Sequence, residues 1–194
     1  RLDCAADLCA RMPGCAMCIP TAPVEVCTDG RDNDCNGATD CADPACATTA
    51  ACRVTNETCA TARIISVPGR TSGSTMNATD DFTPACAGMG GPDVVYVVRN
   101  PTRQTITIDT EGSSYDTALL VFRGDCTTAP IACDDDGGSG VNSRVVIPDA
   151  EPGTYFIVVD GWNTARGAFQ LNVSVGTREV CDNRADDDGD GLTD

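Results

Sequence analysis

Glu151-Pro-Gly-Thr-Tyr-Phe-Ile-Val-Val-Asp-Gly161 is one strand with its turn signals attached. Glu151-Pro-Gly153 opens it and Asp160-Gly161 closes it. Thr154–Val159 between them is aromatic and β-branched, side chains that fit a pleated surface. The same texture extends outward in both directions. Val94-Val-Tyr-Val-Val98, Gln104-Thr-Ile-Thr-Ile-Asp109, Ala118-Leu-Leu-Val-Phe122, Arg144-Val-Val-Ile147 and Ala168-Phe-Gln-Leu-Asn-Val-Ser-Val175 are further short runs. Asn100-Pro101, Glu111-Gly112 and Asp136-Gly-Gly138 separate them. Short strands at this spacing, with no amphipathic helix, predict a mainly β chain built on an antiparallel, jelly-roll-like β-sandwich. Its core draws on Val, Ile, Leu, Tyr96, Phe122, Tyr155, Phe156 and Phe169. Trp162 is read as a cover over one sheet end.

The flanks differ. Residues 1–61 hold ten of the 14 cysteines and almost no periodic hydrophobicity. Such a segment cannot build an apolar core and needs disulfides or metal to hold it. Three regions follow: a Cys/Asp-rich segment over 1–56, the sandwich over 57–176, and a second acidic segment over 177–194.

Composition narrows the chemistry. An even cysteine count at this density reads as a disulfide framework made in an oxidising compartment, so the chain is expected to be secreted, at or beyond the cell surface. It has no histidine and no lysine, which removes the commonest general base, the triad activator and Schiff-base chemistry. A two-carboxylate glycosidase remains conceivable, but the acid has a better explanation. There are 24 Asp against 5 Glu in a chain of formal charge −16. Nucleic acid and anionic membranes repel such a surface, and no apolar run reaches the roughly 20 residues of a membrane span. Short Asp side chains in Gly/Asn-rich loops suit oxygen cages for a hard cation, which outside the cell means Ca²⁺.

The loops have the matching spacing. Glu25-Val-Cys-Thr-Asp-Gly-Arg-Asp-Asn-Asp-Cys-Asn-Gly-Ala-Thr-Asp40 and Glu179-Val-Cys-Asp-Asn-Arg-Ala-Asp-Asp-Asp-Gly-Asp-Gly-Leu-Thr-Asp194 align without a gap. Each holds D-x-[DN]-x-[DN]-G, in which alternate side chains of a tight loop converge on one ion. In the first loop the expected ligands are Asp32, Asp34, Asn36, the Ala38 carbonyl, Asp40 and Asp43, with Gly37 at the sharp turn. In the second they are Asp186, Asp188, Asp190, the Leu192 carbonyl and Asp194. The position equivalent to Asp43 is then supplied by Asp3 of a following copy. Cys4-x4-Cys9-x5-Cys15 repeats the spacing of Cys41-x4-Cys46-x5-Cys52, although it sits three residues later relative to its loop. The expectation is a head-to-tail array of copies of this chain, either covalent or assembled through shared calcium loops. Two or more Ca²⁺ ions per chain are expected. Asp93, Asp116, Asp134, Asp135 and Asp136 are further candidate ligands at one sheet end. Cys126 and Cys133 flank a short loop, and Cys59 and Cys86 bracket the sandwich's first segment, so the expected disulfides are Cys126–Cys133 and Cys59–Cys86.

An Asp at the final position, Asp43, where EF-hands prefer Glu, makes the first loop resemble dockerin or thrombospondin type 3 calcium loops rather than a helix–loop–helix sensor. Glu25–Cys46 as a whole resembles metal-binding repeats of large secreted bacterial proteins. The second copy departs from that pattern with Gly189 where the first has Cys35. Gly91-Pro-Asp-Val-Val-Tyr96, Tyr115-Asp-Thr-Ala-Leu-Leu120, Ile131-Ala-Cys-Asp-Asp-Asp136 and Gly153–Gly161 resemble the bacterial pre-peptidase C-terminal (PPC) domain. That resemblance implies secretion and a structural or binding role without catalysis. The functional expectation is a calcium-stabilised extracellular repeat or subunit of a filament, stalk or adhesin. The competing expectation is a carbohydrate- or protein-binding accessory module of a secreted enzyme, with glycans as partners.

Overall fold

The computed structural model describes residues 20–88 and 90–176. The chain divides into two units, one ending at Arg53 and the other beginning at Val54. The described part of the first unit has no strand. It holds two single-turn 3-10 helices, Asp40–Ala42 and Pro44–Cys46, braced by the disulfides Cys27–Cys46 and Cys41–Cys52. Its buried side chains are Glu25, Asn33, Asp43, Cys46 and Cys52. Polar groups and sulfur take the place of an apolar core.

The second unit is the sandwich. Its described strands are β1 (Arg63–Ile64), β2 (Gly69–Ser74), β3 (Val94–Asn100), β4 (Gln104–Asp109), β5 (Thr117–Arg123), β6 (Ala132–Asp134), β7 (Arg144–Ala150), β8 (Gly153–Gly161) and β9 (Ala168–Gly176). One sheet has the order β1-β3-β8-β5-β6 and the other β2-β9-β4-β7. All pairings are antiparallel except the two-residue pairing of β1 with β3.

The two sheets bury their side chains differently, and the sequence pattern shows why. In the four-stranded sheet, Ile106 and Ile108 of β4 and Phe169, Leu171 and Val173 of β9 face the core. Gln170 and Asn172 between them are only partly buried. That is the alternation of a sheet with one face on solvent. In the five-stranded sheet, Val94, Tyr96, Val98, Leu119, Val121, Tyr155, Ile157 and Val159 enter the same core. Val95, Leu120, Phe122 and Val158 form a second buried cluster on the opposite face, with Cys59, Ala62, Phe82, Cys126, Cys133 and Phe156 packed against it. Strands buried on both faces read as unbroken apolar runs, as β3, β5 and β8 do. Phe122 and Phe156 therefore pack on this outer face rather than in the central core.

The disulfides of the sandwich correct the expected pairing. Cys59 bonds Cys126 and Cys86 bonds Cys133. The reason is this second cluster. Cys133 lies opposite Leu120, so it faces the segments that cover the sheet; Cys86–Cys133 staples one covering segment to β6, and Cys59–Cys126 staples another to the loop after β5. The closed loops span 67 and 47 residues, and in the chain-entropy description each bridge contributes roughly 4 kcal/mol. These bonds belong to an oxidising, extracellular or periplasmic compartment. No described helix is long and apolar enough to cross a membrane.

Candidate metal centres

In the first unit, acid does the work of secondary structure. Buried Glu25 accepts from the Asn33 amide at 2.7 Å and the Asp40 amide at 2.8 Å, pinning two distant turns. Asn33 closes the same region: its Oδ1 accepts from Val26 N, and its Nδ2 donates to Thr21 and Asp29. Asp32 accepts from the amides of Asn36 at 3.1 Å and Gly37 at 2.9 Å. Gly37 turns there at φ 93°, a left-handed conformation that a Cβ would strain. The Asn36 amide group donates to Asp34 at 3.3 Å and Asp43 at 2.7 Å. Asp43 also accepts from Ala45 N, capping the helix Pro44–Cys46.

The result is a convergence of Glu25, Asp34 and Asp43, each offering an oxygen within 4.8 Å of the other two. Three acids gathered around two buried members, Glu25 and Asp43, fit a hard divalent cation with oxygen ligands. Glu25 was not among the expected ligands. The signal for it is the Glu-Val-Cys triplet that opens both copies of the repeat. Asp32 and Asp40 do not join this trio. The Asp40 carboxylate instead accepts from the amides of Asp29 and Gly30.

In the sandwich, antiparallel pairing brings acids to one end of the five-stranded sheet. Val94 lies opposite Val159, Thr117 opposite Gly161 and Leu119 opposite Asp134. The residues flanking these positions are Asp93, Asp160, Asp116 and Asp134–Asp136. Asp116, Asp135 and Asp136 each present an oxygen within 4.8 Å of the others. Asp116 Oδ1 and Asp135 Oδ1 are shut off from solvent and have no hydrogen-bond partner. Burial, then the charges of Asp136, Asp116 and Asp134, pushes Asp135 up to about 6. Burial, then Asp136, raises Asp116. Orphaned carboxylate oxygens in a like-charged group are a donor set that a Ca²⁺ ion fits, and exposed Asp136 leaves room for water to complete its shell.

Two further expected members of this group also accept backbone amides. Asp134 Oδ2 accepts from Gly137 N at 2.8 Å and Arg144 N at 2.7 Å, bracing the β6–β7 loop. Asp93 immediately precedes β3, two strands away in the sheet from β5, and accepts from the amides of Asp81 and Phe82. Burial pushes it up to about 7, against those two amides and with Asp160 and Asp81 adding to the rise. Asp160, which the sequence did not single out, accepts from Gly91 and Gly161. Burial pushes it up to about 6. Trp162 is 41% exposed, and its backbone amide donates to the Asp116 carbonyl at 3.0 Å. Asp3, Asp186, Asp188, Asp190, Leu192 and Asp194 lie outside the described residues.

Residues 94–161 match the family model described as the bacterial pre-peptidase C-terminal domain. Among solved structures, the chain is similar to that domain of a Bacillus anthracis collagenase. The identity is 18% and the TM-score 0.42, over 58% of this chain and 93% of that one. It is also similar to PliG of Aeromonas hydrophila, a periplasmic inhibitor of g-type lysozyme. There the identity is 20% and the TM-score 0.36, over 58% of this chain and 97% of that one. No curated protein matches the sequence. The sandwich is PPC-like.

Proposed function

We propose that the chain is a calcium-stabilised, non-catalytic extracellular module serving as a structural repeat or subunit of a filament, stalk or adhesin. The observation that carries this reading is the meeting of Asp116, Asp135 and Asp136 with two buried, unpartnered oxygens. Unpaired buried carboxylates destabilise a fold by several kcal/mol unless a cation or proton neutralises them. The trio Glu25, Asp34 and Asp43 supports it from a separate unit. The non-catalytic reading is supported by the missing histidine and lysine and by the acids that cap turns. The repeat of Glu25–Asp40 at Glu179–Asp194 supports acidic loops as recurring connectors between modules.

Native mass spectrometry of the chelated chain during calcium titration tests the metal. Asp135→Asn and Asp34→Asn should each remove one ion, and unchanged stoichiometry in both sinks the calcium reading. Head-to-tail assembly is tested separately by sizing at fixed concentration. Calcium should shift the chain to larger species, and a monomer at all calcium levels overturns it.

The accessory-module reading has one favourable observation, the exposure of Trp162. Exposed aromatics are common contact groups for sugars and proteins. Retention on a glycan resin that is lost with Trp162→Ala would favour this reading.

A further inference from the structure

We propose a second cation site in the sandwich, a dry one, between Asp93 just before β3 and Asp160 of β8. It lies on the outer face of the five-stranded sheet and is roofed by residues 79–88 and 90–91.

The register puts the two acids together. Val94 lies opposite Val159, so one step outward Asp93 faces Asp160. Both alternate onto the face that carries Val95 and Val158, and directly opposed residues of an antiparallel pair bring their Cβ atoms within about 5.5 Å. Like charges in that relation repel, and here water does not screen them, because both residues are 0% exposed. Each carboxylate is half satisfied. Asp93 Oδ2 takes the amides of Asp81 and Phe82 at 2.8 Å each. Asp160 Oδ1 takes Gly91 N at 2.8 Å and Gly161 N at 2.6 Å. The remaining oxygens, Asp93 Oδ1 and Asp160 Oδ2, are buried without a partner. Among the described hydrogen bonds, neither meets an arginine.

The roof supplies a cradle. Gly90 has φ 73°, and a Cβ built on it would lie 3.0 Å from Pro84 Cδ, 3.1 Å from the Phe82 carbonyl oxygen and 3.3 Å from Asp160 Oδ2. The missing side chain lets these two oxygens approach one point, with the Pro84 ring beside them. On the other side of Asp160 the sheet presents only the methyl of Ala118. Two carboxylates and a carbonyl are hard oxygen donors whose summed charge a divalent ion cancels. Ca²⁺ suits a cage supplied largely by protein, whereas Mg²⁺ retains several waters. The ion would tie the roof, itself stapled by Cys86–Cys133, to the sheet. This site uses β3, β8 and the roof, and shares no ligand with Asp116, Asp135 and Asp136.

The test is calcium stoichiometry of the full chain, stripped with EDTA and titrated with CaCl₂ under native mass spectrometry. Asp160→Asn should lose one ion, Asp135→Asn should lose a different one, and the double variant two. Asp160→Asn retaining every ion overturns the proposal, even where Asp135→Asn loses its own. Its failure is thus distinct from that of the first centre. A pair that shares a proton instead predicts this retention, together with a more stable chelated protein for the Asn variant. Should Asp160→Asn not fold, hydrogen exchange in the Asp135→Asn background decides. Calcium at about ten times its Kd should slow the Asp81, Phe82 and Gly91 amides roughly tenfold, and unchanged exchange there overturns the site.

Discussion

The two units use their carboxylates differently. In residues 20–53 the carboxylates of Glu25, Asp32, Asp40 and Asp43 accept backbone amides. They stand in for the ladders that this segment lacks. In the sandwich the ladders exist already, and a core of Tyr155, Phe169, Ile106, Leu119 and their neighbours is buried. There the acids sit at strand ends, and several keep an oxygen unused. Where apolar burial is absent, acid becomes scaffold. Where burial carries the fold, acid is left over for a ligand.

That contrast can be broken in order of expected effect. Calcium removal should cost the first unit most. With EDTA, amides in 25–46 should lose more protection by hydrogen exchange than those of β3, β5 and β8; an equal or larger loss in the sandwich breaks the comparison. Next comes the outer face of the five-stranded sheet. Replacing Cys86 and Cys133 by alanine should lower the sandwich's unfolding free energy by roughly 4 kcal/mol in urea, with little change in the protection of 25–46.

A smaller effect is set by pH. In the chelated chain Asp93 and Asp160 hold their protons to about 7 and about 6, above an ordinary 3.8. The unfolded chain ionises first. Their contribution is therefore intact below pH 3.8 and is lost as pH rises toward 7. The urea midpoint of the chelated sandwich should fall from pH 5 to pH 8, and saturating calcium should remove that fall. The smallest effect is at Glu151, which Arg123 and Arg103 hold at 2.6 and 2.9 Å. A hydrogen bond and charge from Arg123, with Arg103 adding, lower its pKa. Its contribution exists above its ordinary 4.5 and vanishes in stronger acid. Glu151→Gln should cost a degree or so of Tm near neutrality and nothing measurable in acid.

Much of the fold was legible. Six runs from Val94 to Val175 carried enough β-branched and aromatic residues to be read as strands. The structure adds β1, β2 and β6. The composition of β2, Gly-Arg-Thr-Ser-Gly-Ser74, has no strand signal, and the segment is extended because it pairs with β9 from Gly69↔Val173 to Ser74↔Ala168. At three residues, β6 is too short for a period. The edge strand β7 tolerates Pro148 for the same tertiary reason: one of its sides needs no ladder partner.

At the candidate sites, the grouping of Asp116 with Asp135 and Asp136 was visible because short turns place them at strand ends. The first loop was visible through its spacing, but its ligand set was not. Glu25 reaches Asp34 and Asp43 only because disulfides and the Asn33 turn fold the segment back on itself.

Sequence alone determined the strand periods, the turn positions, the acidic loops and the oxidising chemistry, since each is written in neighbouring residues or in composition. The tertiary structure decided which cysteine meets which, that Asp134 braces a turn, and that Asp93 faces Asp160. Those depend on strand register and on the segments that cover a sheet face, across separations of 47 to 67 residues in the disulfides. No local spacing encodes that closure, because the contacts form only after the sheet exists to receive them.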